Sequence, residues 1–125
     1  MTHRKKKKNK LGRKKQHRLS MLSNMACSLI KYNRIITTLA KAKSLRKYIE
    51  PLLTRGKVYN LHNIRILMKH LKNRDYVKYL YNEISPKIKN RNGGYIRIIK
   101  IGYRKGDNAK KAFVTFVDKI NPYEN

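Results

Sequence analysis

The chain has 125 residues, 40% of them hydrophobic, which is enough for one modest core and too little for two domains. Its 33 Lys and Arg against 6 Asp and Glu leave a net charge of +27 at pH 7, so a compact fold repels itself until a polyanion neutralises it. Cys27 is the lone cysteine, which excludes an intrachain disulfide framework and a thiolate zinc site. No apolar run approaches the roughly 20 residues that span a bilayer.

Residues 1–18, MTHRKKKKNKLGRKKQHR, contain ten Lys or Arg and no acid. Only Met1 and Leu11 are sizeable apolar groups, so burial cannot offset the entropy of ordering this segment. It reads as a basic arm, disordered when free, that wraps or threads RNA. A nuclear-localisation-type patch is the weaker reading, because the first acid is Glu50 and basic charge runs well past the arm. The arm resembles neither a secretory signal nor a transit peptide, and the expected location is intracellular.

From Gln16 to Tyr32, Leu19, Leu22, Met25, Ala26, Leu29 and Ile30 recur at the spacing of a helical core stripe. His17, Ser20, Asn24, Ser28 and Lys31 share the far side, and Cys27 reads as a small filler. Arg34–Thr38 is short and β-branched and predicts a brief strand. Thr38 then caps a helix from Leu39 to Arg55 with the core stripe Ala42, Leu45, Ile49, Leu52 and Leu53. Lys43, Arg46, Lys47 and Glu50 fall on its outward side. Pro51 predicts a kink or break, and Gly56 a stop. Leu61, Ile64, Leu67, Met68 and Leu71 predict a third helix. Val77, Leu80, Tyr81 and Ile84 predict a fourth, begun near Asn73 or Asp75 and ended by Ser85-Pro86.

Two runs, Tyr95–Tyr103 and Ala112–Val117, flank the polar link RKGDNAK and predict an antiparallel hairpin. A lone hairpin is marginal in water, so one face is expected to pack on the helices. The other combines aliphatic groups with Arg and Lys stems that carry their charges outward. Gly93-Gly94 supplies positive φ or a close backbone approach ahead of the hairpin. Tyr95 and Tyr103 alternate as core residues would, with base stacking as the less favoured role. The expected fold is α+β in two layers, order α-β-α-α-α-β-β, with helices on a small mixed sheet. Residues 1–18 form the arm, 19–118 a single domain and 119–125 a short, loose tail.

Nothing in the chain resembles catalytic machinery. The acids Glu50, Asp75, Glu83, Asp107, Asp118 and Glu124 are dispersed, with no adjacent pair to raise one pKa. His3, His17, His62 and His70 lack metal-ligand spacing, and no Gly-rich nucleotide loop occurs. No enzyme activity, cofactor, metal or small-molecule substrate is expected. In the hairpin link, Asp107 and Asn108 are expected to bond locally, and Arg104 and Lys105 to meet phosphate.

His3-Arg4, Leu11-Gly12-Arg13, His17-Arg18, Met21-Leu22, Asn24, Thr37-Thr38, Ala42-Lys43, Leu45-Arg46 and Glu50-Pro51-Leu52 stand in an order that resembles the bacterial large-subunit ribosomal protein L-seventeen family. Gly93-Gly94-Tyr95, Arg97-Ile98, Gly102-Tyr103-Arg104 and Gly106-Asp107-Asn108-Ala109 continue the likeness, while residues 57–89 match only in pattern. The resemblance implies the α/β two-layer order given above. It also implies a structural component of the large subunit that binds its RNA near the nascent-chain exit and sits among neighbouring ribosomal proteins in the cytoplasm. Taken with the charge pattern, it points to ribosomal RNA contacts at His3, Arg4, Lys5, Lys6, Lys7, Lys8, Lys10, Arg13, Lys14, Lys15, His17 and Arg18. Further along, Asn24, Lys31, Lys43, Arg46, Lys47, Arg91, Arg97, Lys100, Arg104 and Lys105 complete the set. The competing reading is an architectural DNA-binding protein, which needs an apolar wedge on a β-arm tip; the tip here is Lys105-Gly106-Asp107-Asn108. A membrane-surface role fails for want of an apolar face on the arm.

Overall fold

A computed structural model describes residues 14–120 of the protein. The elements are α1 (Lys15–Tyr32), β1 (Arg34–Thr38), α2 (Leu39–Gly56), α3 (Leu61–Leu71), α4 (Arg74–Tyr79), a π-helical turn (Leu80–Ile84), α5 (Ser85–Ile88), β2 (Ile96–Tyr103) and β3 (Lys110–Phe116). Because α4, the π turn and α5 form one unbroken passage, four helical units and three strands follow the predicted order. The sheet is antiparallel throughout, with strand order β1-β3-β2, rather than mixed.

The apolar stripes do what their spacing predicts. Leu22, Ala26, Leu29 and Ile30 of α1 are buried, as are Ala42, Leu45, Ile49, Leu52 and Leu53 of α2. They meet Ile96, Ala112, Val114 and Phe116 from one face of the sheet. Leu19 is 40% exposed, one turn short of Leu22, where α1 first reaches the core. Asn33 ends α1 in the left-handed conformation (φ 65°), its N–H donating to Leu29 O at 2.7 Å. The buried Asn33 carbonyl oxygen then accepts from Thr115 Oγ1 at 3.2 Å, tying the α1–β1 corner to β3.

Pro51 does not break α2, which runs to Gly56. Its ring lies on the exposed side, and the flanking Ile49, Leu52 and Leu53 hold the helix against the core. Gly56 is required by packing rather than by a left-handed turn: a Cβ there would lie 2.1 Å from Leu80 Cδ2. Ser85-Pro86 does not end the fourth helix either. The N–H of Ser85 bonds to Leu80 O, five residues back, and Pro86 follows in the first turn of α5 without ending the passage. Ser85 Oγ donates to Gly56 O, locking that turn to the end of α2.

The predicted outward position of Glu50 also fails. Its carboxylate accepts the Tyr95 backbone N–H at 3.1 Å, and the Tyr95 hydroxyl pairs with Thr54 Oγ1 at 3.0 Å. Tyr95 is thereby buried, as predicted, whereas Tyr103 is 59% exposed beyond a register shift after Lys100. Gly93 and Gly94 take φ of 136° and 62°, as the hairpin entry requires. Ile120, in the stretch expected to be loose, is 1% exposed and belongs to the core.

Candidate nucleic-acid interface

Three groups of cations are presented by different elements. The first lies on α2, where Lys43, Arg46 and Lys47 occupy the i, i+3, i+4 positions opposite the buried stripe and are all exposed. Glu50 accepts the Tyr95 N–H but is only half-buried, so one carboxylate stands at the end of the row and lines the same groove. Arg46 and Lys47 form one wall of a groove of about 540 Å³ whose other side is Gly94 and Ile96, at the entry to β2. The helix therefore lays a cationic ledge alongside a place where the backbone has no side chain in the way.

The second group lies on α1. Lys14, Lys15, His17, Asn24 and Lys31 are exposed, and Arg18 is half-buried. Lys15 and Arg18, assigned to the arm by sequence, belong to α1. Ser20, Asn24 and Ser28 line an open cleft of about 520 Å³ together with Lys72, Asn73 and Tyr76. Lys72 was missed by the sequence reading. It closes α3 in the left-handed conformation (φ 58°), donating its N–H to Met68 O at 2.8 Å. A lysine just past a predicted helix stop was the available signal. Lys31 Nζ lies 5.1 Å from the centre of the Tyr32 ring.

The cleft floor is held by the end of α3. Its orphan carbonyls are capped from neighbouring helices: Ser23 Oγ donates to His70 O at 2.5 Å and Cys27 Sγ to Leu71 O at 3.2 Å. The Tyr48 hydroxyl lies 3.3 Å from His70 O and 3.2 Å from His70 Nδ1. Burial pushes the Cys27 thiol and the Tyr48 phenol above their usual ranges. It also pulls His70 below 6.5, with Lys69 and Arg55 adding like-charge repulsion. Cys27 is thus a half-buried filler, as predicted, whose thiol caps the end of α3.

The third group follows the sheet and its loops. Arg97 and Lys100 on β2 and Lys105 in the hairpin link are exposed. Two predicted contacts are engaged within the chain. Arg91 makes a two-pronged pair with Asp118, Nε at 2.9 Å and Nη2 at 3.4 Å, which fastens the entry of β2 to the end of β3. Arg104 grips Asp107 through Nε at 3.1 Å and through Nη2. That guanidinium, aided by the Ala109 N–H, pulls Asp107 down to about 2. Asp107 thus bonds its local backbone, as expected, whereas Asn108 contributes through its backbone, donating its N–H to Arg104 O at 3.0 Å with φ 58°. His3, Arg4, Lys5, Lys6, Lys7, Lys8, Lys10 and Arg13 lie outside the described residues.

Among the described residues no cluster of three His, Cys, Asp or Glu could hold a metal. None of their helices is long and apolar enough to cross a membrane. What the surface offers is cation, hydroxyl and amide at intervals, which suits a sugar–phosphate backbone rather than bond-breaking chemistry.

Comparison with known proteins agrees. A family model described as "Ribosomal protein L17" matches residues 21–117. A protein of Parabacteroides distasonis named "Large ribosomal subunit protein bL17" is 55% identical over 90% of this chain and 70% of its own length. Proteins of the same name from Porphyromonas gingivalis and Bacteroides thetaiotaomicron are 54% and 53% identical over 90% of this chain, and over 71% and 69% of their own lengths.

Proposed function

This chain belongs to the ribosomal protein L17 family, and on that premise we propose that it binds and stabilises folded large-subunit ribosomal RNA by neutralising closely packed phosphates. Membership makes it a structural component of the large ribosomal subunit, not an enzyme. The observation that carries the RNA-binding reading is the α2 ledge. Lys43, Arg46 and Lys47 are exposed together, and neither the Arg91–Asp118 pair nor the Arg104–Asp107 pair involves them. A row of exposed cations on a rigid helix sets where phosphates sit but reads no base, so specificity comes from RNA shape.

The α1 face and its cleft supply a second line of contact, with Asn24 and Lys72 facing the same space. The arm, Arg97, Lys100 and Lys105 extend the cationic surface further. Arg91 and Arg104 act first as internal clamps. A position near the nascent-chain exit, among neighbouring ribosomal proteins, is supported by the family likeness alone. The architectural DNA reading finds no support at the hairpin tip, where the Arg104–Asp107 pair stands in place of an apolar wedge.

Binding to purified large-subunit ribosomal RNA tests the proposal. The expected result is a log–log salt slope of about −0.7 to −0.9 per phosphate neutralised, made shallower by roughly two to three such increments when Lys43, Arg46 and Lys47 are replaced together by Ala. A slope that the triple replacement leaves unchanged would sink the assignment of the ledge.

A further inference from the structure

We propose that the cleft between α1 and the α3–α4 corner takes the ribose edge of an RNA strand and is where the protein distinguishes RNA from DNA. This rests on the RNA-binding reading above and names what the cleft reads within it, the 2′-hydroxyl.

Ser20, Asn24 and Ser28 stand four residues apart along α1, so they form a row on one face with steps of about 6 Å. Across the cleft of about 520 Å³ stand Lys72, Asn73 and Tyr76. The floor between these walls is closed, because Ser23 Oγ and Cys27 Sγ are committed to the last carbonyls of α3. Asn73 is committed as well, its Oδ1 accepting the Asp75 N–H at 2.8 Å at the start of α4. The row on α1 is not. Among the described residues, the side chains of Ser20, Asn24 and Ser28 make no hydrogen bond within the protein. Ser20 and Asn24 are exposed and Ser28 is half-buried, so a ligand reaches all three by displacing water alone, with no internal bond to break.

The composition of the cleft selects the occupant. One cation and no acid line it, which suits a single phosphate rather than the crowded phosphates that the α2 ledge faces. Its one ring, Tyr76, is half-buried, so a base finds no open π-face to stack on. What remains is a row of neutral groups that both donate and accept, and the 2′-hydroxyl of ribose does the same. A-form RNA displays its 2′-hydroxyls along a wide, shallow groove. Successive sugars of a strand are separated by a step close to that of the row on α1. The small side chains let this edge approach the helix closely, with Lys72 beside the adjoining phosphate. DNA offers only C–H at the same position and leaves the row without a partner.

The test titrates the full-length protein against purified large-subunit ribosomal RNA and against the same RNA transcribed with 2′-fluoro nucleotides, which hold the A-form sugar and lack the hydroxyl donor. Ser20→Ala/Ser28→Ala probes the row. Alanine suits a helix better than serine, so α1 is retained, and thermal unfolding serves as the folding control. The parent is expected to bind the hydroxyl-bearing RNA more tightly. The double variant is expected to lose about tenfold on that RNA, each hydrogen bond contributing about two- to tenfold, with little loss on the fluoro RNA. Its salt slope should stay parental, since no charge is removed. Lys72→Ala should do the reverse, weakening both RNAs alike and making the slope shallower by one increment. Equal binding of the two RNAs by the parent, or a double variant that keeps the parental preference, would overturn the inference while leaving the α2 ledge intact. Failure of the parent protein itself to bind ribosomal RNA would instead overturn the underlying reading.

Discussion

Gly56 and His70 are single positions at which the tolerance of this small core can be measured. At Gly56 the missing Cβ is the space that Leu80 fills, and Leu80 is fully buried with no route to solvent. Gly56→Ala is therefore expected to destabilise by about 1–3 kcal/mol, the usual cost of overpacking, read as a lower urea midpoint with an unchanged m-value. An unchanged midpoint would mean that α2 and the π turn can separate freely. His70 works through its proton. Its folded pKa lies below the ordinary 6.5 because burial, then Lys69 and Arg55, oppose the charged form. The unfolded chain then takes up the proton more readily than the folded one. Stability is complete well above pH 6.5 and declines as the pH falls through that value toward the lower folded pKa. The urea midpoint should show this decline between about pH 7.5 and pH 5.5, and His70→Gln should flatten it. Because the ring is only partly buried, solvent screening keeps the effect modest.

Among the elements, the passage from Arg74 to Ile88 has the least ordinary geometry. One residue more than an α-helix would need is absorbed at Leu80–Ile84, and this turns Ser85 toward Gly56 O and Ile88 into the core. Inserting one alanine after the exposed Asn82 adds a residue beyond the one the π turn already absorbs, so everything after it should rotate by about 100°, losing both contacts. The expected outcome is a fall in unfolding temperature with helical circular dichroism retained; an unaltered temperature would show that the bulge is incidental. This passage also shows where sequence reading stops. Leu45, Ile49, Leu52 and Leu53 announced α2 because a helical stripe is a local pattern with one geometric solution. Pro51 and Pro86 misled because a proline reports only the local cost of a missing N–H, whereas tertiary packing and a π turn decide whether the helix continues. Ile120 and Glu50 were misplaced for a related reason: their partners lie far away in sequence, and a lone apolar or acidic residue carries no period. For the interface, the α2 ledge was legible from helical spacing, whereas the internal engagement of Arg91 and Arg104 was not. Charge counts do not reveal which cations already have acids beside them.

At the scale of the whole molecule, net charge sets conditions on the fold. With +27 on 125 residues, self-repulsion opposes the compact state, and dissolved ions screen it. The unfolding temperature of the isolated protein should therefore rise from about 0.02 M to about 0.5 M salt, over which range the Debye length shrinks severalfold. A flat response would indicate that the surface cations are already locally compensated. Strand order adds a condition of a different kind. β1 and β2 each pair only with β3, and β3 is the last of the three to be made. Until a growing chain has released residue 116, its two earlier strands have no backbone partner between them, however well the helices have gathered. A product cut short before β3 leaves two bare ladders for proteases to find, so no copy that lacks this strand can pass as native.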